Sequence, residues 1–122
     1  FATQNKIRHA LCFFLGGAKE GSKLVVGPKN ADAPPHNPIL TLLLGVHEAY
    51  GVGTLIQDEQ GIPKLHMHAS FGRENHAVTG CVRAGVNVWL IGEAVILELA
   101  DISAQRVKDQ KTGFELLDVT KS

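Results

Sequence analysis

Thirteen glycines and five prolines are spread through the 122 residues, and they cut the apolar sequence into short runs. That punctuation limits the fold more than any other feature. Short runs ended by Gly or Pro suit strands and hairpins, whereas few windows can carry a sustained helical stripe. "IRHALCFFLGG" (7–17) closes on Gly16-Gly17, and "SKLVVGPKN" (22–30) ends with Gly27-Pro28 close by. "NADAPPHNP" (30–38) can hold no regular element. In "ILTLLLGVHEAYGVGTLIQ" (39–57), Gly45, Gly51 and Gly53 point to a bent or bulged pair of strands. Pro38 leaves a short helix open as the alternative.

The second half is patterned more clearly. "DEQGIP" makes a turn, "KLHMHASFG" (64–72) a strand, and "AVTGCVRAG" (77–85) its returning partner. "VNVWLIGEAVILEL" (86–99) is apolar at both alternating sets of positions, as a strand covered on both faces would be. "QRVKDQKTGFELLDV" (105–119) reads as a hairpin turning at Lys111-Thr112-Gly113. No repeat or charge block divides the chain, so residues 1–122 are expected to form one domain, burying about two-thirds of its unfolded surface. The fold class expected is α+β, dominated by an antiparallel sheet with few helices.

Charge and apolar content exclude some functions. Twelve basic residues balance twelve acidic ones, so nothing predicts an electrostatic grip on nucleic acid. No apolar run approaches the roughly 18 residues of a membrane span. There is no secretory signal pattern, and the two cysteines, Cys12 and Cys81, are too few for a disulfide framework. A cytoplasmic protein with free thiols is the expectation, with Cys12, among "ALCFF", an inert core thiol.

His66 and His68 carry the chemistry. Residues two apart on a strand project from the same face, so the two imidazoles stand side by side. With a four-residue loop at 73–76, residue 72 faces 77, 68 faces 81 and 66 faces 83. Opposed Cβ atoms lie about 4.5–5.5 Å apart, which puts Cys81 beside His68 and Arg83 beside His66. Two imidazoles and a thiolate match a known catalytic zinc set with a fourth position open. Another divalent transition metal fits the same ligand types. The competing reading is a chance His-x-His pair without metal. His76, at the loop tip, lies too far along the strand to join.

Glu93 interrupts the most apolar strand, and a buried carboxylate is costly unless paired. It would orient a ligand imidazole or take a proton, or else pair with Arg83, Arg106 or a backbone donor. His47 and Glu48 raise the same question more weakly, since adjacent strand residues face opposite ways.

From Ile7 onward the sequence resembles the plants-and-prokaryotes conserved (PPC) domain, a domain of unknown function. The resemblance rests on Gly61-Ile62-Pro63 before His66 and His68, Thr79-Gly80-Cys81-Val82 after a polar loop, and Glu93 central in the next strand. It implies a homotrimer with a zinc-like ion held near a subunit interface, usually by three histidines. Here Cys81 replaces the third. It further implies that an N-terminal strand and helix usual in the family are missing before Phe1. Some prokaryotic members carry a predicted DNA-binding label, but neither an Arg-Gly-Arg-Pro hook nor a basic excess supports it here.

Three functions stay open. The chain is a metal-binding trimeric domain of unassigned role that binds a small molecule or partner protein, or a metal-dependent enzyme acting on a small anionic substrate. In the second case Arg83 or Arg73 attracts the substrate and Glu93 assists. DNA association comes last.

Overall fold

The computed structural model describes residues 1–32 and 34–119. Its main body is a seven-stranded antiparallel sheet. The strands are β1 (His9–Ala18), β2 (Lys23–Pro28), β3 (Pro38–Leu42), β4 (His47–Gln57), β5 (Pro63–Arg73), β6 (His76–Cys81) and β7 (Val88–Glu98). They lie in the order β3-β2-β6-β5-β4-β1-β7. A separate hairpin, β8 (Ala104–Lys108) and β9 (Glu115–Val119), follows at the C-terminal end.

The strand content exceeds the α+β expectation. Among the described residues the one helical element is a 3₁₀ turn, Val82–Ala84, so the domain is mostly β. The glycine and proline spacing favours this, because it keeps most of the apolar runs short. Pro38 opens a strand, not a helix.

Gly51 and Gly53 correct a second expectation. The β1–β4 and β4–β5 ladders run without a register shift, so neither residue marks a bulge. A Cβ at Gly53 would lie 2.6 Å from the His66 carbonyl and 2.7 Å from the Met67 Cβ, and one at Gly51 would lie 2.8 Å from the Ala69 Cβ. They let β4 and β5 pack closely. Register shifts lie elsewhere: between Val25 and Pro28 in the β2–β3 ladder, and between Gly16 and Gly17, where β1 pairs with β7 across a bulge that skips Leu90 and Ile91.

The central strands have one packed and one open face, as antiparallel sheets often do. Met67, Ala69 and Phe71 of β5 are buried, while His66 and His68 between them are exposed. Phe71 and Ala69 pack with Leu24, Leu43, Ala49 and Ala18 in one core cluster; Met67 joins Ala10, Cys12 and Leu55 in another. Burial pushes the Cys12 thiol pKa up, in keeping with an unreactive core residue.

β7 is an edge strand, bonded on one side to β1. It is exposed along almost its whole length, which overturns the expectation of a doubly covered strand. An apolar pattern on both faces does not by itself show that a strand is covered.

Candidate metal centre

The β5–β6 hairpin sets the site. Observed partners are Gly72 with Ala77, Ser70 with Thr79 and His68 with Cys81, the expected register. The turn is tighter than expected: Arg73 pairs with His76, leaving only Glu74 and Asn75 in the loop, with Glu74 at a positive φ of 54°. At the other end the ladder stops at Cys81, because Val82–Ala84 coils into the 3₁₀ turn and Gly85 leaves it at φ 109°. Arg83 is therefore not the cross-strand neighbour of His66. That place belongs to no residue of β6, although Arg83 still faces the same cavity as His66 and Cys81.

The Nε2 atoms of His66 and His68 lie 3.3 Å apart. Without an ion this is a contact between two ring nitrogens, one of which must carry a proton to bond the other. With zinc–nitrogen bonds of about 2.0–2.1 Å, the edge of a tetrahedral zinc centre is about 3.3 Å. The imidazoles thus already stand at the spacing zinc needs. The donor atoms of His66, His68 and Cys81 all lie within 4.8 Å of one another. Cys81 is 2% exposed, whereas both histidines are open to solvent. A buried thiol closing one side and two accessible imidazoles on the other form a three-donor set able to hold a metal, with a side left for a further ligand.

Electrostatics favour ligation at His66. Desolvation by the surrounding protein comes first, and the charges of Arg106, His68 and Arg83 add to it; together they lower its pKa below the ordinary imidazole value although part of the ring stays exposed. A neutral imidazole is the form that binds a metal.

Three candidate residues are not brought to this site. Glu93 lies on the outer face shared by the histidines, opposite Leu15, but on β7, three strands from β5. At about 4.8 Å per strand it is about 14 Å away or more. It is exposed, and among the described residues it makes no ion pair with Arg83 or Arg106, so no buried-charge penalty calls for a partner within the chain. Arg73 sits at the other end of β5, where it donates to the Val46 carbonyl at 2.8 Å and lies 3.9 Å from Glu74. His47 is likewise distant, near β4's start, with its Nδ1 3.0 Å from the Gly45 carbonyl oxygen.

Other residues enter that the strand patterns did not bring in. Arg106, weighed in the sequence only as a partner for Glu93, is 7% exposed and donates from Nη2 to Thr54 Oγ1 at 2.7 Å. Thr54 is the β4 neighbour of His66, so the guanidinium is carried to the metal-ligand side of the sheet. His36, from the irregular 30–38 segment, stacks on Phe114 at 5.5 Å between centroids, and both line a cavity with His68 and Cys81. No local sequence pattern links positions 36, 106 and 114 to the histidines.

A family model for the Plants and Prokaryotes Conserved (PCC) domain matches residues 1–100, and the chain belongs to that family. Solved structures agree in fold. A plant- and prokaryote-conserved protein of Pyrococcus horikoshii superposes with a TM-score of 0.79 at 22% identity, covering 100% of this chain and 80% of that one. The metal-containing protein AF0104 of Archaeoglobus fulgidus gives 0.74 at 20% identity, over 95% and 78% of the two chains. A Ralstonia eutropha JMP134 protein whose name proposes DNA binding gives 0.74 at 18% identity, over 98% and 78%. No curated protein matches the chain.

Proposed function

We propose that this PCC-type domain binds zinc through His66, His68 and Cys81 and works as a homotrimer. The observation that carries the metal reading is the 3.3 Å separation of the two Nε2 atoms beside a buried thiol in register with His68. A metal-containing neighbour of the same fold adds support. A divalent ion held by three protein donors polarises an oxygen ligand in its remaining position, so the site suits either ligand binding or hydrolytic chemistry. The buried Cys81 and the two exposed imidazoles would hold the ion.

What supports the trimer is the outer face of the sheet. Phe13, Leu15, Tyr50, Val52, Val95 and Leu97 are exposed there by 40–65%, in neighbouring register positions across β4, β1 and β7. A contiguous apolar surface of this kind marks an interaction site. It lies next to the histidines, so a subunit covering it would enclose one side of the metal centre.

Elemental analysis of the purified protein, read with its mass in sedimentation, tests both statements. Near one zinc per chain and a trimeric mass are expected. His66→Ala with His68→Ala should lower zinc affinity by more than about a hundredfold. An intact trimer in that variant assigns the ion to function; dissociation assigns it to assembly. Full zinc content in the double variant overturns the ligand set.

A further inference from the structure

Beside the metal centre lies a cavity of about 560 Å³, within the usual range of small-molecule sites. One wall is the histidine side of β5; the other is the β8–β9 hairpin. The charged side chains lining it are Lys64, Arg83, Arg106 and Glu115. Lys64 is already engaged, 3.3 Å from Asp58 and 3.8 Å from Glu115. Neither arginine has a carboxylate within ion-pairing distance among the described residues.

Arg106 is the unusual member. It is more than nine-tenths buried; among the described residues its one side-chain hydrogen bond goes to a neutral hydroxyl, and its Nε is buried with no acceptor. A guanidinium keeps its charge in proteins, so a largely buried charge faces the cavity with no counter-charge among the described residues. Uncompensated burial of this sort is unfavourable. The general remedy is an anion, and Arg83 faces the same space. Leu65, Phe114, Leu116 and Leu117 supply apolar walls.

We propose that this cavity binds a small organic oxyanion, a carboxylate or phosphate, between Arg106 and Arg83, with its apolar part against the leucines of the hairpin. Planar guanidinium groups match both oxyanions through paired N–H donors. The inference rests on the metal reading only for the far end of the ligand, which the zinc site would meet; the two arginines stand whether or not a metal is bound. It also concerns a part of the chain that the family model does not reach, since β8 and β9 lie beyond residue 100.

The test uses calorimetric titration of the full chain with two probes, inorganic phosphate and succinate, in metal-free and zinc-loaded forms at fixed ionic strength. Saturable binding of at least one probe to the metal-free chain is expected, weakened about tenfold or more by Arg106→Gln and by Arg83→Gln. Arg83 is exposed, so its variant remains informative if Arg106→Gln fails to fold. The tighter probe identifies phosphate or carboxylate as the ligand group. If neither probe binds the metal-free chain, the proposal is overturned, including the case in which a second copy's carboxylate already fills the cavity. Equal binding by wild type and Arg83→Gln, seen only with zinc, also overturns it while leaving the metal reading intact. Arginine-dependent binding by a chain that takes up no zinc does the reverse.

Discussion

The β5–β6 hairpin alternates apolar with polar residues, strand β7 is almost continuously apolar, and the two are opposite in situation. From His66 to Phe71 β5 alternates, with Met67, Ala69 and Phe71 in the core and the histidines outside. β7 has no buried residue; only Ile96 is partly covered. Alternation tells which face a strand turns to its own core, because the side-chain period fixes it. Continuous apolarity carries no such direction. The two regions therefore answer different questions: β5 is shaped by the interior of one chain, and β7, on the trimer proposed here, by the surface of its neighbours.

Substitutions can separate the two. Phe71→Ala removes a side chain 1% exposed and should cost about 3–5 kcal/mol in denaturant unfolding. Val95→Lys with Leu97→Lys should leave a folded chain, each change worth within about 0.5 kcal/mol as a surface substitution, yet shift the sedimenting mass from trimer to monomer. A trimeric mass in that variant would break the comparison. Acid sharpens it at the β4–β5 turn. The Asp58 carboxylate accepts from Ile62 N at 2.8 Å and Gln60 N at 3.0 Å and pairs with Lys64, and these contacts lower its pKa below the usual carboxylate value, the Ile62 bond most strongly. A pKa depressed by folding contributes stability above the unfolded value, near about 3.9, and loses it as pH falls through the folded one. The gap in melting temperature between wild type and Asp58→Asn should thus be widest at neutral pH and close in strong acid. Glu93→Gln is expected to do least, with monomer stability unchanged within about 0.5 kcal/mol in the same unfolding assay.

Much of the site was legible because the strand period and hairpin pairing are local rules. A register with residues 68 and 81 opposed follows from a polar loop between two patterned runs, and it survives the loop being two residues shorter than expected. Glu93 misled because a carboxylate among aliphatics suggests burial, whereas an edge strand leaves it in solvent. Gly51 and Gly53 misled in a related way: close approach of two strands and a bulge call for the same residue, and only the facing atoms distinguish them. Arg106 was out of reach for a different reason. Its place depends on an isolated parallel bridge to Asp58 and a bond to Thr54, 52 positions away, and no periodicity encodes such contacts.

That bridge has an evolutionary consequence. The residue that fastens the C-terminal hairpin to the end of β4 is also the one that lends the cavity its buried charge. Replacing Arg106 would remove both that charge and the side-chain bond to Thr54, so diversification among related chains should fall instead on the turn at 109–114, where Phe114 also lines the cavity.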